Sequence, residues 1–140
     1  MTVWLNEFHV GTNLISNFNT LNTVFATPDP LDPDCVFREF GASHDNSDGS
    51  RTGIGFPSAV LTWAAMEDEQ VEILKSFCSG LSALVYWRIP TNRYDTFSAR
   101  IWRTYLCQML WMPAGEDKQS GKTLSVTIDL RHLIVQTEAT

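Results

Sequence analysis

Between Pro57 and Ile89 the spacing of apolar residues changes rhythm twice. Ala59, Leu61 and Trp63 alternate with Ser58, Val60 and Thr62, the period of a strand with both faces at least partly covered. From Met66 the apolar positions become Met66, Ile73 and Phe77, widened by Val71, Leu74 and Cys78, which is helical spacing. Glu67, Asp68 and Glu69 fall in the first turn of that helix, where carboxylates meet the positive end of its dipole. Ser79 and Gly80 are expected to end it, with Gly80 free to take the left-handed C-terminal conformation. Alternation then resumes at Leu81, Ala83, Val85, Trp87 and Ile89.

Two further alternating segments follow. From Phe97 to Met112, Ile101, Arg103, Tyr105, Cys107, Met109 and Trp111 share one face, and Arg100, Trp102, Thr104, Leu106, Gln108 and Leu110 the other. In the last segment Leu124, Val126, Ile128 and Leu130 oppose Thr123, Ser125, Thr127, Asp129 and Arg131, a core face against a polar one. Shorter strand-like runs cover Val3 to Val10 and Cys35 to Phe40, and turns are expected at 90–95 and 113–121. The pattern predicts a mainly β (α+β) single domain over 1–140, a β-sandwich or half-barrel with one flanking α-helix.

Two stretches lack such rhythm. Residues 11–34 are rich in Asn and Thr, which favour turns and caps over helix interiors, and end in TPDPLDPD, whose prolines bias the chain toward extended geometry. This segment reads as an arm or extended connector. Residues 41–57, GASHDNSDGSRTGIGFP, offer almost nothing to bury; structureless loops of that length are uncommon in compact domains unless they are functional or disordered. The loop is therefore the first candidate for an interaction.

Composition adds constraints. The 140-residue, 15.8 kDa chain carries 19% charged residues, below the usual share of roughly 25%, as expected of a subunit that hides surface in an assembly. The formal charge is -6, most of it in the first 57 residues, which argues against binding nucleic acid through clustered Lys and Arg. Three separated cysteines without a CxxC pattern suggest neither a disulfide framework nor a zinc site. The N-terminal run lacks a signal-peptide pattern, and no stretch is long and apolar enough to span a membrane.

Candidate chemistry is sparse. His44, Asn46, Asp48 and Gly49 fit part of a calcium-loop pattern, but the first Asp and the twelfth-position Glu are absent, since Gly55 stands there; a solvated turn is the simpler reading. His9, His44 and His132 are isolated from one another, and no nucleophile elbow or phosphate loop occurs. The expectation is no enzyme activity, no cofactor and no metal. What remains are interface candidates: Ser43, His44, Asp45, Asn46, Asp48 and Arg51 in the loop, and Arg100 with Trp102 on the mixed face of the long strand, since Trp and Arg concentrate at interface hot spots.

The run SAVLTWAAMEDEQVEILKSFCSGLSALVYWRIP resembles the strand, helix, strand core of small tail proteins of tailed bacteriophages. Trp63 closes the first strand, Leu74 to Phe77 ends the helix, and Tyr86 and Trp87 mark the aromatic-rich second strand. YLCQMLWM and TLSVTIDLRHLI are similar to the closing strands of that pattern, so the resemblance spans Ser58 to Ile134. It implies a tail-tube-like fold whose copies pair strands into a ring, hexameric or a multiple of that, and a virion location after synthesis in the host cytoplasm. It further implies contacts with adjacent tail or baseplate proteins, DNA only as passing cargo, and a role for the 41–57 loop in reaching a neighbouring subunit. A monomeric small β-barrel that binds a ligand is the alternative.

Overall fold

The computed structural model describes residues 7–25, 33–78, 80–94, 100–112 and 115–136. Along them the chain forms β1 (His9–Asn13), β2 (Asn17–Thr20), α1 (Leu21–Phe25), β3 (Asp34–Arg38), β4 (Ala42–Asp45), β5 (Arg51–Ile54) and β6 (Ser58–Glu67). Then come α2 (Asp68–Lys75), β7 (Ser82–Tyr94), β8 (Arg100–Trp111), β9 (Asp117–Gln119) and β10 (Lys122–Gln136). One sheet runs in the order β2-β1-β7-β8-β10-β6-β3, with β9 also paired to β10, and β4 and β5 form a separate ribbon. Every pairing is antiparallel. The fold is mainly β, as the alternation predicts, with two helices where the sequence suggested one.

The centre of the sheet follows the hydrophobic rhythm closely. Ala59, Leu61 and Trp63 of β6, Val85, Trp87 and Ile89 of β7, Tyr105, Cys107 and Met109 of β8, and Val126, Ile128 and Leu130 of β10 are all buried. Each large apolar side chain among them contributes about 1.5–3 kcal/mol by leaving water. Residues 97–99 and 113–114, at the ends of the predicted long strand and turn, lie outside the described residues, as do 3–6 and the proline-bearing 26–32.

The sheet is strongly curled. Between β3 and β7 lie four strand intervals, and at about 4.8 Å each a flat sheet would hold these strands roughly 19 Å apart. Instead, Cys35 Sγ on β3 lies 3.8 Å from the Pro90 carbonyl oxygen on β7, and Arg93 pairs with Glu39 just beyond β3. The Phe37 ring likewise sits 6.0 Å from that of Tyr105. Leu21 and Phe25 of α1, Val71 and Leu74 of α2, and Cys78 belong to the core cluster inside the curl.

Local deviations from the sequence reading have physical causes. Residues 11–25 are no irregular arm: β1 and β2 pair through a bulge at Gly11, and α1 follows directly. Gly11 is required there, because a Cβ would fall 1.7 Å from the Asn17 carbonyl oxygen. Met66 belongs to the end of β6 rather than to the helical stripe. At the start of α2 the Glu67 amide donates to Gln70 Oε1 at 3.4 Å, and Asp68 and Glu69 occupy the first turn as expected. The helix stops at Lys75, where the amides of Phe77 and Cys78 reach back only three residues, to Leu74 and Lys75. Gly80 does not take the left-handed conformation, because the chain has already left the helix.

The polar face of β10 also changes phase. Thr123 is fully buried while Leu124 is half exposed. Ser125 has a left-handed backbone, φ 50°, and across from it β6 steps from buried Trp63 to buried Met66, which pairs with Thr123. Both strands thus shift their inward face by one residue. The buried Thr123 hydroxyl is satisfied by Asp68 Oδ1 and Lys118 Nζ, each at 3.4 Å.

A projecting hairpin and the groove at its root

Residues 41–57 contain structure of their own. β4 and β5 pair from Ala42↔Ile54 through Ser43↔Gly53 and His44↔Thr52 to Asp45↔Arg51, and all their residues are exposed except Gly53, which is half-buried. No face of this ribbon packs on the core, so its sequence carries no apolar alternation, and it read as a loop for that reason.

Six of the predicted interface residues meet here. At the turn the Asn46 amide donates to the Ser50 carbonyl at 2.8 Å and the Gly49 amide to the Asn46 carbonyl at 3.1 Å. Asn46 Nδ2 donates to Ser50 Oγ at 3.1 Å and to Thr52 Oγ1 at 2.9 Å. Asp48 Oδ1 accepts from the Ser50 amide at 3.0 Å and the Ser50 hydroxyl at 2.6 Å, and these bonds hold its carboxyl below the usual range. Gly49, at φ 90°, supplies the left-handed step the turn needs. Arg51 Nε lies 2.7 Å from Asp45 Oδ1, with both side chains mostly exposed, so the pair contributes at most about 1 kcal/mol. Ser43 and His44 stand on β4 facing solvent. The polar groups that suggested a calcium loop are thus largely turned on one another. Among the described residues no three His, Cys, Asp or Glu side chains are placed to hold a metal ion.

The root of the hairpin is apolar and tied to the middle of the sheet. The Phe40 ring lies over Gly53, where a Cβ would come within 2.3 Å of it. Phe56 stacks on His132 with ring centroids 3.7 Å apart, and the Leu133 amide donates to the Pro57 carbonyl at 3.1 Å. His132, at φ 58°, forms a bulge that shifts the β10–β8 register between Arg131 and Ile134. Beside this root a groove of about 550 Å³ is lined by Val36, Arg38, Phe56, Val60, Arg131 and His132, among others. Val36, Phe40, Ile54 and Phe56 are each about half exposed.

Arg100 and Trp102 form a different unit. Arg100 opens β8, is exposed, and reaches Tyr94, with Nε 3.5 Å from its hydroxyl and the guanidinium 6.0 Å from its ring centroid. Trp102 is half-buried, edge-on to Phe8 at 5.1 Å, and packs against the core. The residues missed from sequence are those of the groove. One signal was present: Leu130 and Leu133 break the period-two alternation of β10 by a step of three, as a bulge does.

Burial pushes Cys35 up to about 11 and Cys107 higher still, opposite to the lowered value a reactive cysteine needs. Trp87, Tyr105, Met109 and their neighbours are buried in the core of the curl. No helix among the described residues is long and apolar enough to cross a membrane. Neither a protein-family model nor a curated protein nor a solved structure matches the chain.

Proposed function

We propose that the chain is a structural subunit of a phage tail, forming with its own copies a ring of the tail, tail tip or baseplate, and that it catalyses no reaction. In this reading the curled sheet and its helices are a tail-tube-like domain, and neighbouring tail or baseplate proteins stack on the ring. DNA passes through as cargo, and the chain's net charge of -6 keeps phosphates from adhering.

The observation that carries the reading is the β4–β5 hairpin. It is ordered by its own hydrogen bonds, anchored at its root to the centre of the sheet, and exposed along its length. Ordering each residue costs about 1–2 kcal/mol of backbone entropy, and the ribbon buries no apolar face of its own in exchange. A contact made outside the chain accounts for such a ribbon. Further exposed apolar side chains, Leu81 just before β7, Leu84 near its start, and Ile134 and Val135 at the end of β10, offer surface of the kind that association covers.

Light scattering coupled to size exclusion, with negative-stain imaging, tests the proposal. Rings or larger closed assemblies are expected from the full chain, and a folded monomer from a variant lacking Ser43 to Thr52. A full-length chain that stays monomeric at high concentration, or a deletion variant that assembles normally, would sink the reading.

A further inference from the structure

We infer that the groove beside the hairpin root receives the hairpin turn of a second copy, so that the subunits join head to tail. This rests on the assembly reading above and adds where the hairpin lands.

The first argument is reach. Gly41 and Phe56, at the base of the ribbon, themselves line the groove. Four residue pairs at about 3.3 Å each carry the turn roughly 13 Å away from that base. A paired ribbon of this length does not fold back on its own root, so any hairpin in the groove comes from another molecule. The groove beside that base is open to solvent and holds about 550 Å³.

The second argument is charge. At the turn Asp45 is neutralised by Arg51, leaving the carboxylate of Asp48, held ionised by Ser50, as the uncompensated charge. In the groove Arg131 is paired with Asp129 at 3.4 Å. Arg38 lines the same groove, is exposed at the end of edge strand β3, and has no ion-pair partner among the described residues. One spare anion on the turn thus matches one spare cation in the groove.

The third argument is symmetry. Turn and groove are different surfaces of one chain, so their contact is heterologous, and heterologous contacts close into rings or extend into filaments instead of stopping at a dimer.

Charge exchange tests this inference on the full-length chain. Asp48→Lys and Arg38→Glu should each raise the concentration for half-assembly by roughly three- to tenfold, and the two combined in one chain should restore it, because the swapped charges again face each other between copies. Simple addition of the two losses would overturn the docking site. Disulfide trapping gives an independent reading in a Cys35→Ser background, the other two thiols being buried. Asp48→Cys chains mixed with Arg38→Cys chains should cross-link, whereas Asp48→Cys chains alone should not. Cross-links between two turns, or none with the groove in assembled material, would overturn the docking site while leaving the hairpin's part in assembly intact. Normal assembly after deletion of the hairpin would instead remove the assembly reading itself.

Discussion

β7–β8 and β4–β5 are both antiparallel hairpin pairings, yet they owe their order to different things. The first pairs from Ser82↔Leu110 to Pro90↔Trp102 and sets Val85, Trp87, Tyr105 and Met109 into the core. The second has four pairs, no buried face, and a turn held by Asn46, Asp48 and Ser50. Backbone pairing is common to both, so it does not distinguish them. Burial fixes the first in the fold, and side-chain hydrogen bonds shape the second for an encounter outside it.

Matched substitutions put this contrast at risk. Ile128→Ala, at the fully buried centre of β10, should lower stability by about 2–5 kcal/mol, read from urea unfolding. Ile54→Ala, the same change on the exposed ribbon, should cost less than about 0.5 kcal/mol in the same measurement, and comparable losses would dissolve the distinction. Next in size, Gly11→Ala should cost about 1–3 kcal/mol, because its Cβ would meet the Asn17 carbonyl and force β1 from β2.

The β1–β2 ribbon lies between the two extremes and should respond to acid. His9 is buried, stacked on Phe18 at 5.2 Å and paired in register with buried Arg88. Burial, with the charge of Arg88, holds its imidazole below the ordinary 6.5, against the opposing bond to the Glu7 carbonyl. The unfolded chain therefore takes up the proton first. This contribution to stability is complete above pH 6.5, falls as the pH drops through that value, and levels off below the folded pKa. Unfolding midpoints measured from pH 8 to 5 should show the decline, and His9→Gln should flatten it. Smallest of all, Asn46→Ala should leave global stability within about 0.5 kcal/mol and speed amide exchange within 42–54 alone; a global change would mean the turn supports the core.

The same contrast explains what could be read from sequence. Ser58 to Trp63, the acidic start of α2 and the closing strands were legible because a buried face writes a period into the chain. The β4–β5 ribbon left no period, and its Gly, Ser and Asp residues matched a loop. β1, β2 and α1 were hidden by Asn and Thr, since Leu21 and Phe25 face the core from a five-residue helix too short to show a stripe. Thr123 was misassigned because a left-handed residue, Ser125, reverses inside and outside midway along a strand. The groove escaped because Arg38, Phe56 and Arg131 come from three separate segments and share no motif.

The bond from the Leu133 amide to the Pro57 carbonyl and the stacking of Phe56 on His132 also have a mechanical meaning. The chain enters the hairpin from edge strand β3 and leaves it into β6, and these two contacts tie it to β10 as well. A pull on the hairpin therefore bears on the interior strands β6 and β10 and not on the edge alone. Such a pull drags an interior strand along two neighbours at once, so many backbone bonds must yield together. An edge strand would instead peel away one bond at a time. The exit into β6 and the tie to β10 thus spread over interior strands a load that edge strand β3 would otherwise carry alone.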